Sequence, residues 1–206
     1  MERKNTRRSD NAERNTQTDM KRAIIVHGWR GSPTGNWFQW LKKELEKQNF
    51  TVEVPKMPNA DFPEIDKWVK HLAKLVDEED DNYLIGHSMG CQAILRYLES
   101  KPENVKVKGV VLVAGFIASL SEEIMKDPED AGILSPWLET PIDLKKAKAN
   151  AGKMVSIVSD DDPYIPEDNW QEFEKLGKVI ILHEKGHIQE IEPAILNAVL
   201  SVTTAE

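Results

Sequence analysis

From residue 21 onward, short apolar runs rich in β-branched residues alternate with segments of helical periodicity, and this alternation restricts the chain to few architectures. The runs at 22–27, 51–54, 82–87, 107–114, 154–159 and 178–182 each predict a strand. Val110-Val111-Leu112-Val113 has no polar interruption, as suits a parallel strand covered on both faces. Between the runs, Ile65, Trp68, Val69, Leu72, Leu75 and Val76 recur at three and four and draw one apolar stripe along a helix. Segments 36–48, 89–99, 167–176 and 188–203 also read as helical. The expected fold is α/β: a doubly wound, mostly parallel sheet of about six strands flanked by helices.

Two stretches depart from the rhythm. Between 116 and 152 no strand is expected, and Pro128, Pro136 and Pro141 punctuate two weak helical patches. An insertion of this length in a compact α/β unit reads as a lid, here starting at the ligand-binding side of the sheet. Residues 1–19 hold no aliphatic side chain larger than alanine and cannot offset the entropy of ordering, so they are expected to be a disordered tail. The single domain then spans 20–206.

Charge and composition exclude several function classes. A formal net charge of −8 leaves no basic face for phosphates, so nucleic acid is not an expected partner. No apolar run approaches the ~18–20 residues that span a bilayer, so no membrane association is expected. The lone cysteine, Cys91, forbids an intrachain disulfide and suits a reducing, cytoplasmic compartment. No Cys/His cluster has metal-ligand spacing and no glycine-rich loop has a nucleotide-binding pattern, so neither metal nor cofactor is expected. The molecule is expected to be a monomer or small oligomer.

Gly86-His87-Ser88-Met89-Gly90 follows the strand run Tyr83-Leu84-Ile85 and opens a helical segment. Gly-x-Ser-x-Gly in a strand–turn–helix setting is a nucleophile elbow: the serine stands on a strained turn, and small residues two before and two after it keep side chains clear. The helix after it aims N-terminal amides at developing negative charge. That points to the α/β-hydrolase fold with Ser88 as nucleophile.

A serine hydroxyl needs a base, and the base an orienting carboxylate, in the chain order Ser, Asp, His. Two histidines follow Ser88. His187 lies in a loop after the strand ending at Leu182, at the sheet edge where the elbow sits, and is the expected base. His183 abuts that strand and reads as a surface residue. The carboxylate is one of Asp160, Asp161 and Asp162, which together follow the strand at 154–159. The oxyanion requires two amides. Met89 after the nucleophile supplies one, and Trp29 in His27-Gly28-Trp29 after the first strand supplies the other. Gly28, Trp29, Phe116 and Trp137 are expected to line the substrate pocket; His27, His71, His87 and Cys91 read as structural.

These residues together resemble the small serine hydrolases typified by retinoblastoma-binding protein 9 and the bacterial YdeN-like proteins. The resemblance runs from Met20 to the C-terminus. It rests on Gly31-Ser32-Pro33, Trp37-Phe38-Gln39-Trp40-Leu41, Met57-Pro58-Asn59, the elbow, Arg96-Tyr97, Asp161-Asp162-Pro163-Tyr164 and Gly186-His187-Ile188-Gln189. It implies that the acid is the aspartate before the proline, Asp162. Pro163 adds a physical reason, biasing Asp162 toward an extended backbone that fixes where its carboxylate points. Asp160 and Asp161 are then expected to face solvent. The His27-Gly28 pair departs from the family's usual first loop and is closer to mainstream esterases.

The expected chemistry is acyl transfer to water from a small-molecule carboxylic ester, or from a related amide or thioester by the same steps with another leaving group. The alternative from another class is a protein-binding module with a vestigial triad on the same fold. A cation site at Asp160–Asp162 is a third reading of the triplet.

Overall fold

The computed structural model describes residues 21–76, 81–102 and 107–204; the tail expected over 1–19 lies outside them. The elements, in order, are β1 (Lys21–Val26), α1 (Phe38–Glu46), β2 (Thr51–Glu53), α2 (Ile65–Leu75), β3 (Asp81–His87), α3 (Met89–Ser100), β4 (Val107–Val113), α4 (Glu122–Met125), α5 (Pro128–Glu139), α6 (Leu144–Ala149), β5 (Ala151–Ser159), α7 (Asp168–Leu176), β6 (Lys178–Leu182) and α8 (Pro193–Thr203). All six strands pair in parallel, in the order β2-β1-β3-β4-β5-β6.

Strand side chains alternate between two apolar layers, as the period of two demands. Ile24, Leu84, Val110 and Leu112 face Trp68 and Leu72 of α2 and the buried length of α3. Ala23, Ile25, Ile85, Val111 and Ile157 face Phe38 and Leu41 of α1 and Val199 and Val202 of α8. Burying each such large apolar side chain stabilises the fold by about 1.5–3 kcal/mol, which is why the runs without polar residues sit in the middle of the sheet. The chain lays β2 on one side of β1 and everything after it on the other. The loops leaving β1 and β3 therefore part at a topological switch point and open a crevice at the carboxyl edge.

Helix starts differ from the periodicity for local reasons. The first helix begins at Phe38 rather than 36, because Asn36 has φ +48°. The last begins at Pro193 rather than 188, because the proline holds Glu192 extended and Ile188 has φ +47°. In the interval expected to be a lid throughout, residues 144–149 instead form α6, the crossover helix packed on α3 and β5, and β5 already begins at Ala151. Only α4 and α5 stand over the carboxyl edge. Buried polar groups fasten this cap at its ends. Gln92 donates to the Phe116 carbonyl (3.1 Å), and Arg96 donates to the carbonyls of Trp137 (2.8 Å) and Thr140 (2.7 Å). Asn169 Oδ1 accepts from the amides of Ile117 (2.7 Å) and Ala118 (2.9 Å). Among the described residues no helix is long and apolar enough to cross a membrane.

Candidate active site

Ser88 occupies the turn between β3 and α3 with φ +53° and ψ −123°, a conformation that costs a non-glycine residue about 1–3 kcal/mol. Its amide donates to the Val113 carbonyl of the neighbouring strand (2.9 Å), which ties the turn to the sheet. Glycine at 90 is a steric requirement, since a Cβ there would collide with the Val26 carbonyl oxygen. Gly28 lies against Ser88 itself: a Cβ there would stand 2.9 Å from Ser88 Cβ and 3.4 Å from its Oγ.

His187 sits in the loop after β6 at the same edge of the sheet. Its Nδ1 donates to Asp162 Oδ2 at 2.8 Å, and because a carboxylate only accepts, this assigns the ring proton to Nδ1 and leaves Nε2 as a lone-pair acceptor. Asp162 Oδ1 accepts from the amides of Tyr164 (2.9 Å) and Ile165 (3.2 Å), so the carboxylate is gripped on both oxygens. The two side chains are 10% and 2% exposed. The Tyr164 ring stands edge-on to the His187 imidazole, with centroids 5.1 Å apart.

The other two aspartates do not simply face solvent. Asp160 accepts from the His183 ring (2.5 Å) and the Glu184 amide (3.1 Å). Asp161 Oδ1 accepts from Ser159 Oγ (2.7 Å) and the Gly186 amide (2.7 Å). Each carboxylate of the triplet thus takes a different partner along 183–187, lacing the end of β5 to the loop that carries His187. The bond from His183 holds the Asp160 carboxyl below its ordinary range, and those from Ser159 and then Gly186 do the same for Asp161. Asp160 in turn raises His183, an otherwise exposed side chain. Among the described residues no group of three or more His, Cys, Asp or Glu is arranged to hold a metal ion.

Two further histidines, His27 and His87, are buried, which favours their neutral form. His27 accepts from the Met57 amide at Nε2 (3.1 Å), so Nδ1 carries the proton and donates to the Gly28 carbonyl (2.8 Å); burial lowers its pKa. Burial, and next the nearby His187, push His87 down to about 3. Burial raises the Cys91 thiol far above its usual range, which makes it an inert core residue.

The amides of Trp29 and Met89 have no hydrogen-bond partner among the described residues, and both residues line a cavity of about 520 Å³ that also holds Ser88 and His187. Phe116, Leu120, Ile124, Leu134 and Ile165 make its apolar wall. Arg30 stacks over the Trp29 ring (4.1 Å) and pairs with Asp130 of α5 (2.8 Å), joining the first loop to the cap. Gly28 lines a smaller adjoining cavity of about 240 Å³, again with Ser88 and His187. Trp137, expected in the pocket, is not there. It is fully buried, packed on Trp68 with its indole N–H on the Pro63 carbonyl, because α5 turns that face inward to cover α2. Sequence reading also missed Tyr164, whose place beside Asp162 signalled only a turn, and Leu120 and Ile124, which no periodicity marked.

The chain matches a family model described as Serine hydrolase over residues 23–192. It is 35% identical over 147 residues to the putative hydrolase YdeN of Bacillus subtilis (strain 168), covering 71% of this chain and 73% of that one. It is 26% identical over 179 residues to the serine hydrolase RBBP9 of Rattus norvegicus, covering 83% and 89%. The crystal structure of the B. subtilis ydeN gene product superposes with a TM-score of 0.78 at 28% identity, over 90% of this chain and all of that one.

Proposed function

The chain belongs to the serine hydrolase family, and from that premise we propose that it cleaves carboxylic esters through an acyl-enzyme on Ser88, with His187 as general base and Asp162 as the acid that orients it. The observation that carries this reading is the 2.8 Å His187–Asp162 hydrogen bond, nearly buried, opening onto the cavity that contains Ser88.

In the proposed sequence, the bond to Asp162 keeps the His187 proton on Nδ1, so Nε2 takes the Ser88 proton as Oγ attacks the ester carbonyl. The negative oxygen of the tetrahedral intermediate faces the amides of Trp29 and Met89. Both stand ready without competing acceptors, and such a donor contributes about 2.7–4 kcal/mol to the transition state. His187 passes the proton to the departing alkoxide, and the acyl group stays on Ser88. Water then enters, His187 takes its proton, and the acid leaves as Ser88 regains its hydrogen. The apolar wall formed by Phe116, Leu120, Ile124, Leu134 and Ile165, closed by the cap, favours small or medium acyl groups.

A fluorophosphonate probe should label the protein at Ser88, Ser88→Ala should abolish labelling, and chromogenic esters should be hydrolysed with kcat/KM falling as the acyl chain lengthens. A folded protein that neither labels nor turns over would favour the binding-module reading; a preference for long chains would contradict the pocket.

A further inference from the structure

The backbone that carries His187 is held in an unfavourable conformation. Eight non-glycine residues have positive φ among the described residues, and Ile188 (φ +47°) is the only β-branched one. For that side-chain shape the left-handed region is a genuine outlier, which persists only where the surroundings over-determine it. Here the surroundings do. The Ile188 side chain is 1% exposed and anchored in the apolar layer with Trp37 and Phe38, so it cannot swing out to relieve the backbone. The Trp37 indole N–H donates to the Ile188 carbonyl (2.9 Å). The His87 ring sets its Nε2 3.0 Å from the His187 carbonyl; a carbonyl only accepts, so Nε2 bears the proton. The Asn36 amide nitrogen, 3.5 Å from Nδ1, faces the side left unprotonated.

Those two carbonyls belong to the peptide planes immediately before and after the Ile188 Cα. Fixing both planes fixes φ and ψ of Ile188, and with them the direction in which His187 leaves the backbone. His87 is held edge-on between Trp37 (5.9 Å), Phe38 (5.9 Å) and the His187 ring itself (5.0 Å), so its donor cannot rotate away. Burial keeps it neutral, with the single N–H committed to this bond.

We propose that Trp37 and His87 are positioning residues for His187, clamping the strained peptide planes around Ile188 so that the imidazole meets Asp162 on one side and the cavity on the other. The inference rests on the reading of His187 as the base. Neither residue is given a contact with substrate in this scheme: His87 borders the smaller cavity beside Ser88, but its N–H is committed to the His187 carbonyl. Without the clamp, Ile188 relaxes toward negative φ and His187 rotates off Asp162. A displacement of about 1 Å in such a group costs on the order of a hundredfold in rate.

The test uses the full chain with His87→Phe, His87→Gln and Trp37→Phe. Gln keeps an N–H near the position of Nε2; Phe keeps the ring without a donor. Two readouts are taken: kcat and KM on a chromogenic ester, corrected for folded fraction, and the downfield proton NMR resonance of the His187 Nδ1–H bonded to Asp162. Expected are ten- to hundredfold losses of kcat in His87→Phe and Trp37→Phe with KM within about twofold, broadening of the resonance in both, and kcat within about threefold of wild type in His87→Gln. The inference is overturned if both donor-less variants keep kcat and the resonance, if only their melting temperatures fall, or if His87→Gln is as impaired as His87→Phe. A wild-type protein inactive on esters and unlabelled by fluorophosphonate would instead sink the catalytic reading, and the resonance would still decide the clamp.

Discussion

Replacing Asp162 with Asn removes a charge and leaves the shape, which makes it the sharpest probe of the proposed triad. The carboxylate accepts two backbone amides on Oδ1 and the His187 ring on Oδ2, and it is 2% exposed. The Asn carbonyl can keep the amides of Tyr164 and Ile165, and its NH2 then faces Nδ1. Two donors cannot share a hydrogen bond, so the imidazole moves its proton to Nε2 and can no longer accept one from Ser88. The lost attraction between imidazolium and carboxylate at 2.8 Å is about 6 kcal/mol at an effective dielectric of ~20. That agrees with the ~10⁴ fall in kcat seen for this change in a related triad, or about 5.4 kcal/mol at ~1.36 per decade. The neighbours supply the control. In Asp161→Asn, Oδ1 can still accept from Ser159 and Gly186, and in Asp160→Asn it can still accept from the Glu184 amide, so each should stay within about tenfold of wild type. Asp161→Ala should fall further than Asp161→Asn, since it unlaces Gly186. The assay is kcat on one chromogenic ester for all four variants, with melting temperatures as the folding check. Asp162→Asn within tenfold of wild type, or Asp160→Asn or Asp161→Asn at 10⁻⁴, would refute the assignment.

Gly28→Ala places a methyl 2.9 Å from Ser88 Cβ and 3.2 Å from the His87 carbonyl, so kcat should drop at least tenfold on the same ester while overpacking costs about 1–3 kcal/mol in denaturant unfolding; an unchanged kcat would mean the loop yields freely. Because His87 titrates near 3 in the fold and at 6.5 when unfolded, the unfolded chain binds a proton that the folded chain refuses between those values. Its contribution to stability is therefore intact above about pH 6.5 and lost as pH falls toward 3, by up to about 1.4 kcal/mol per pH unit. His87→Gln has no such proton, so its melting temperature should fall less steeply across that window, and parallel curves would disprove the point. Arg30→Ala and Asp130→Ala should each raise KM modestly and weaken its salt dependence, because their ion pair joins the Trp29 loop to the cap across the cavity; identical salt curves for wild type and variants would count against this.

The parts of the site legible in the sequence are those whose constraint is local. Ser88 announces itself because a strand, a strained turn and a helix start must follow within a few residues, and the glycines there answer clashes with neighbouring backbone. The parallel pairing of the strands follows from unbroken apolar runs that must be covered on both faces, while their order, β2-β1-β3-β4-β5-β6, is set only by the tertiary structure. Asp162 could be told from its neighbours only by the family resemblance and the proline after it, and the duties of Asp160 and Asp161 were not legible, since their partners lie 23–25 residues away and identical side chains differ only in which way an extended backbone turns them. The ends of the cap were equally hidden. Leu144–Ala149 carries helical composition wherever it goes, and only its packing on α3 makes it part of the sheet's flank instead of the cap. Trp137 was large, apolar and near the right segment, yet which face of α5 turns to the cavity depends on Trp68, across the fold. The hold on His187 is the extreme case. Trp37 reaches the Ile188 carbonyl across 151 residues and His87 the His187 carbonyl across 100, and neither a tryptophan in a loop nor a histidine beside a serine says which carbonyl its N–H will find until the chain has closed on itself.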